Sequence, residues 1–289
     1  MNLIDAIVQG ILLGGLYAIF AAGLSLMFGV MRLVNLAHGA FAVLAAYGVL
    51  VIVRVALVSP LIALLVVAPA MALLGYGIQR LILQKTLGES PLPSLLVTFG
   101  LSIMIENILL MTMSADQQRL SLGALDTASI ELLGGIRIGV FPLITFLFAI
   151  VALGTLSWVT ARTQYGRLVR AVSDDPDTVA LSGANPKRIY GYATAIAFGL
   201  VAFAGVAAGI QTSFSPTSGS LLLIFAFEAV IIGGLGSIWG TFAGAIILGI
   251  AQTVGAAIAP AQQVLIGHIV FLIFLAFLPH GLTGRKVKI

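Results

Sequence analysis

The chain has 289 residues, 60% hydrophobic and only 8% charged, with a net charge of +4 and a mean hydropathy of +1.17. Soluble domains carry roughly 25% charged residues, so this chain cannot coat a water-facing surface and takes the bilayer as its solvent. The absence of cysteine excludes disulfides, thiolate metal sites and thiol catalysis; three dispersed histidines do not make a metal cluster, and the basic residues gather at segment ends and in one loop, not in a nucleic-acid-binding patch.

Nine apolar stretches are long enough, or nearly so, to cross the hydrocarbon core, which needs about 20 helical residues. The first, 4–31, reads as a retained span. It has no basic leader, with Asn2 and Asp5 the only polar residues before Gln9, and it outruns a signal-peptide core. Its Gly10-x3-Gly14 face predicts close helix packing, and Tyr17 reads as packing glue, as do Gln211 and Gln252 further on. Asn35-Leu36-Ala37-His38-Gly39 then breaks the apolar run before a second span at 37–58. Asn35 suits a helix cap, and His38 either lines a pathway or satisfies a buried carbonyl.

Spans at 60–83 and 92–113 follow, the latter carrying Glu106 inside apolar sequence. The hydrophilic stretch 114–139 alternates at Ile130-Glu131-Leu132 and Ile136-Arg137-Ile138 around Gly134-Gly135, predicting a small β-hairpin. After a span at 140–159, the second hydrophilic stretch, 160–188, contains Ser173-Asp174-Asp175-Pro176-Asp177. An acidic cap, a proline in the first turn and negative charge at the positive end of the dipole predict a helix start. Gly183 stops it after about two turns.

Spans at 189–211, 221–236, 239–258 and 263–279 complete the chain. The seventh holds Glu228 and is short; it and the eighth read either as two spans or as one broken or re-entrant unit around Gly233-Gly234-Leu235-Gly236-Ser237. Glycine breaks in the two halves of a polytopic chain point to a transport path, and intramembrane acids to a functional site. With the N-terminus outside, 11 of the 14 basic residues fall inside and only Arg54, Arg119 and Arg137 outside, which orients the chain N-out and C-in. The expected fold is an all-α polytopic bundle of eight or nine spans with broken or re-entrant elements. No P-loop, zinc-helix or nucleophile-elbow motif is present.

Three segments carry a family resemblance. Gly14-Gly15-Leu16-Tyr17 through Val30, running into Asn35-Leu36-Ala37-His38-Gly39-Ala40-Phe41, resembles the N-terminal signature of branched-chain amino acid ABC permeases of the H type. Gly166-Arg167-Leu168-Val169-Arg170 through Pro176, then Ala180-Leu181-Ser182-Gly183, is similar to the family's cytoplasmic coupling segment, and Gly233 through Thr241 to its C-terminal glycine motif. The resemblance implies a type II-like importer permease subunit in the inner membrane of a bacterial cell, working by ATP-driven alternating access. It implies a second permease subunit (an M-type homologue or another copy), two cytoplasmic ATPase subunits and a periplasmic solute-binding protein. The chain itself then holds no cofactor, ATP and Mg being bound by the partners. The implied substrate pathway runs past Asn35, His38, Gly39, Glu228, Gly233, Gly234, Gly236 and Ser237. The implied ATPase coupling residues are Arg167, Arg170, Asp174, Asp175, Pro176, Ala180, Leu181 and Gly183. Related permeases carry urea, amides, aromatic acids or sugars, so the motifs leave the substrate open. The alternatives are an ion-coupled carrier using Glu106 or Glu228, and an intramembrane enzyme, for which no convincing catalytic set is present.

Overall fold

A backbone crossing lipid must close its hydrogen bonds within each segment, and the apolar stretches do so as helices. The computed structural model describes residues 3–88, 90–132 and 136–283. Among the described residues, nine helices are long and apolar enough to span a membrane. They are built on α1 (Leu3–Met31), α2 (His38–Ala56), α3 (Pro60–Leu81), α4 (Leu92–Met113), α6 (Val140–Arg162), α9 (Pro186–Gln211), α10 (Gly219–Gly233), α11 (Ile238–Ile258) and α12 (Gln263–Phe277), with α3, α10 and α12 extended by adjoining short turns to Pro60–Lys85, Pro216–Gly233 and Pro260–Phe277. Three short helices, α5 (Ala124–Thr127), α7 (Gln164–Asp174) and α8 (Pro176–Leu181), lie between them. Local chemistry sets the starts. Ser59 accepts from the Ile62 N–H ahead of α3, and Asn185 from the Arg188 N–H ahead of α9, each with a proline in the first turn.

The core is built around α1. Of its most apolar window 83% is buried, against 17% for α4 and 6% for the last span, so α1 is a central post and those two are peripheral. It packs on α6, α9, α10 and, along its whole length, α11. The pairing with α11 is antiparallel: Gly10 lies against Ile250, Gly14 against Ile246 and Gly29 against Gly236. A β-carbon at Gly10 or Gly14 would strike the α11 backbone, so the missing side chains set this approach.

The two hydrophilic stretches lie at opposite ends of α1. Strands β1 (Ser129–Leu132) and β2 (Ile136–Gly139) form the expected antiparallel hairpin, with Glu131 opposite Arg137. The Arg137 carbonyl accepts from Gln9, near the start of α1. At the other end, the Ser173 hydroxyl donates to the Gly29 carbonyl at 2.7 Å. The Gly134-Gly135 turn and the basic residues Arg285, Lys286 and Lys288 lie outside the described residues.

Of the two readings of the Gly233–Ser237 segment, the structure takes the first: it is a tight turn joining two separate spans. It sits at the end of α1, with Gly236 against Gly29. The interrupted geometry lies instead at the starts of α2 and α10. The His38 ring reaches the Phe20 carbonyl and packs on Gly23, in the central half of α1, so α2 begins inside the bundle. Gly219, the first residue of α10, abuts Gly39 and Ala40. Residues 32–37 and 212–218 therefore run into the bundle from opposite ends, and the N-termini of α2 and α10 meet within it.

Candidate functional site

At the first break, Asn35 is buried. Its side-chain oxygen accepts from the Ala37 N–H at 3.0 Å, and its amide lies 3.9 Å from the Met27 sulfur. This local turn delivers His38 to the start of α2. His38 is fully buried, with Nε2 3.0 Å from the Phe20 carbonyl, the carbonyl-satisfying arrangement. Gly39 follows because a side chain there would occupy the Gly219 backbone. The Thr98 hydroxyl accepts from the Leu36 N–H at 3.2 Å, so α4 braces the break from outside. These contacts bring two positive helix ends together, a geometry that favours partial negative charge between them.

Glu228 belongs to a second buried cluster. His268 Nδ1 stands 2.5 Å from Glu228 Oε1, and the Tyr17 hydroxyl donates to Gln252 Oε1 at 2.6 Å. Phe225 packs on both Tyr17 and His268. Four helices, α1, α10, α11 and α12, thus meet on polar atoms inside the bundle. His268 was missed in the sequence; its signal was an ionisable residue inside an apolar span. Glu106 is half-exposed on α4 and is not part of this cluster.

The Gly233–Ser237 residues form neither cluster. Gly233 packs on Gly240 and Thr241, while Gly234 and Gly236 adopt φ of +100° and +79°, values that suit glycine. Ser237 caps α11 by accepting from the Gly240 N–H at 3.2 Å. Leu235, Gly236 and Ser237 also form one wall of a cleft of about 860 Å³ beneath α1, whose other walls come from α6 and α7.

The loop at that end is more structured than expected. Thr163 caps α7, whose Gly166, Val169 and Val172 face inward. Arg170 donates to the Thr160 carbonyl, and burial pushes the Tyr165 phenol up to about 12. Asp174 ends α7, and Asp175 caps α8, accepting from the N–H groups of Asp177 and Thr178 at 3.1 and 3.0 Å. The Thr178 hydroxyl, then its N–H, holds the Asp175 carboxyl below the usual range. Pro176 opens α8, Ala180 and Leu181 close it, and Gly183 turns away at φ +88°. α8 buries no residue, and Leu181 is 90% exposed. Arg167 is exposed on α7. Among the described residues no three His, Asp or Glu side chains are grouped to hold a metal.

Comparisons with known proteins give one consistent answer. A family model described as the branched-chain amino acid transport system permease component matches residues 6–278. The chain is 27% identical to the high-affinity branched-chain amino acid transport system permease protein BraD of Pseudomonas aeruginosa, over 98% of this chain and 96% of that one. It is 24% identical to the corresponding protein LivH of Escherichia coli, over 96% and 94%. Its fold is similar to PsaBC from Streptococcus pneumoniae, solved in complex with Fab, at a TM-score of 0.52 and 14% identity over 97% and 93% of the two chains.

Proposed function

The chain belongs to the branched-chain amino acid transport permease family, and from that premise we propose that it carries branched-chain or closely related amino acids through the inner membrane of a bacterial cell. It is the membrane-embedded permease subunit of an ABC importer and not an enzyme. In the proposed assembly it pairs with a second permease subunit, an M-type homologue or another copy, and sits on two cytoplasmic ATPase subunits that bind ATP and Mg. A periplasmic solute-binding protein delivers the substrate.

The observation that carries this reading is α8. A capped helix that buries nothing, with Leu181 almost wholly exposed at its end, suits insertion into a groove on another protein. It stands next to α7, whose Ser173 holds the end of α1. Closure of the ATPases on ATP binding would move α8, then α7, then the central post. Arg167, Arg170 and Asp174 on α7 and Asp175, Pro176, Ala180, Leu181 and Gly183 around α8 form the proposed coupling set.

The proposed path passes the junction of α2 and α10, with Asn35, His38 and Gly39 on one side and the α10 start on the other, and continues past Glu228 toward Gly233, Gly234, Gly236 and Ser237. Zwitterionic substrates present a carboxylate, for which converging helix N-termini are a suitable surface. Selectivity rests mainly with the binding protein.

The deciding experiment is reconstitution. The chain co-purified with its ATPase subunits should import leucine, isoleucine or valine into proteoliposomes only with ATP inside and binding protein outside. The Glu228–His268 pair, with Glu228 buried and His268 partly exposed, favours a second reading, an ion-coupled carrier, which predicts uptake by the purified chain alone down an imposed proton gradient. Uptake of that kind would replace the importer reading.

A further inference from the structure

The cleft beneath α1 shares Arg170 and Asp174 with the proposed coupling set and Gly236 and Ser237 with the proposed path, but neither role uses its two cations together. It holds about 860 Å³ at the ends of α1, α6 and α11, between α7 and the α10–α11 turn. Three spans ending around a recess put it at the level of lipid headgroups. Trp239 lines it and is half exposed, its indole N–H donating to the Ser157 hydroxyl at 3.0 Å across the gap between α11 and α6. Tryptophan with one polar edge is the side chain enriched at membrane–water interfaces.

The charge on the cleft wall is specific. Its charged residues are Arg32, Arg170 and Asp174, two cations against one anion. The ion pairs among the described residues are Arg137 with Glu131 and His268 with Glu228, so neither arginine of the cleft is neutralised by a carboxylate there. Arg170 spends one N–H on the Thr160 carbonyl and keeps the rest of its guanidinium.

Arg32 adds an independent observation. It follows the last residue of α1 with φ of +50°, in the left-handed region. Glycine or asparagine terminates a helix there with less strain. A bulky cationic residue held in that conformation, on the wall of a cleft, points to a use for its side chain. Ser173, on the same wall, is fixed by its bond to the Gly29 carbonyl, and Ser237 by its cap on Gly240. The walls are therefore preset, and the guanidinium groups are the adaptable part.

We propose that this cleft is a binding site for a phosphate group, carried on an anionic phospholipid headgroup or free in the cytoplasm, with Arg32 and Arg170 as its cationic ligands. Guanidinium matches phosphate geometry with paired N–H donors, and basic pockets between spans on the cytoplasmic side take up anionic headgroups. The occupant touches α7 on one side and the α10–α11 turn on the other. It therefore ties the coupling segment to the end of the central post, so its presence should stiffen that joint. The inference does not depend on which solute is transported.

The test uses the full chain, alone and with its ATPase subunits, and native mass spectrometry to count retained lipid. Phosphatidylglycerol should bind in preference to phosphatidylcholine. Arg32→Gly should weaken phosphatidylglycerol binding about fivefold, from about 1 kcal/mol per basic residue near an anionic surface, while raising the thermal midpoint because glycine relieves the left-handed strain. Arg32→Lys should keep most of the binding, and Arg170→Gln should lose as much as Arg32→Gly. Inorganic phosphate distinguishes the sources. If it protects the wild type but not Arg32→Gly against heat and displaces the lipid, the free anion is the occupant; if lipid is retained in its presence, the headgroup is. Equal lipid retention by wild type, Arg32→Gly and Arg170→Gln, with no protection by phosphate, overturns the proposal. None of these readouts uses transport, so a failure of the importer reading leaves them intact.

Discussion

Ala180 offers a graded test of the coupling helix. α8 spans Pro176–Leu181 and buries no residue, so its helicity rests on its cap and on a few backbone bonds. Proline at 180 removes one of those donors and drives its ring into the carbonyl one turn back, at about 3 kcal/mol. That is a factor above 100 in the local helix population, at about 1.4 kcal/mol per tenfold. Glycine costs about 1 kcal/mol and serine about 0.5 kcal/mol at the same position, or roughly five- and twofold. Because α8 meets the core only through the half-buried Val179, thermal unfolding of the bundle should change little across the series. Uptake and ATP hydrolysis stimulated by loaded binding protein, measured side by side in proteoliposomes, should fall in the order Ala, Ser, Gly, Pro. Wild-type coupling in Ala180→Pro, or equal losses in the glycine and proline variants, would refute the claim that a formed helix transmits the motion.

Cysteines introduced at Asp126, in α5, and Ser182, after α8, should react with an impermeant reagent from opposite sides of the membrane, and reaction of both from the periplasm would sink the N-out orientation. Glu228→Gln should keep most ATP-driven uptake, because the carboxyl supplies no energy in an importer, whereas Glu228→Ala should lower the thermal midpoint by stripping His268 of its partner; uphill uptake abolished by Glu228→Gln would favour an ion-coupled carrier. Gly39→Ala forces a methyl group into the Gly219 backbone, an overpacking cost of about 1–3 kcal/mol, and should lower both stability and uptake; a wild-type thermal midpoint would mean that the α2 and α10 starts do not meet. Asp175 is held below the ordinary carboxylate value, so its contribution to α8 is fully present above about pH 4 and lost as the pH falls through the lower folded value; coupling measured from pH 8 down to pH 5 should show no loss from this group.

Hydropathy and length were enough to find all nine spans, because a lipid-facing helix must be apolar over about 20 residues whatever it packs against. The cap at Asp175 was equally legible, since Asp-Pro at a helix start is local chemistry. Depth was not. With hydropathy running on through it, Gly233–Ser237 reads equally as a turn between two spans or as a break inside one, and its place at the end of α1 decides for the turn. The start of α10 at Gly219 is marked by Pro216 and Gly219, but only the fold reveals that this start is inside the bundle. α7 lies in a hydrophilic stretch where its arginines dominate the composition, although Tyr165, Leu168, Val169 and Val172 follow helical spacing. The partnership of Glu228 with His268 crosses 40 residues, and no local pattern encodes it.

The antiparallel clasp of α1 with α11 also bears on how the protein is made. Tyr17 and Gln252, which touch across it, are 235 residues apart in the chain. α1 leaves the ribosome long before the helix that covers its glycine face exists, and α6, α9 and α10, its other packing partners, are also still to come. Its notched surface is then an unfilled seat, open to any neighbouring small-residue helix. A nascent chain halted before α11 should therefore be the form that insertion chaperones hold and membrane proteases remove.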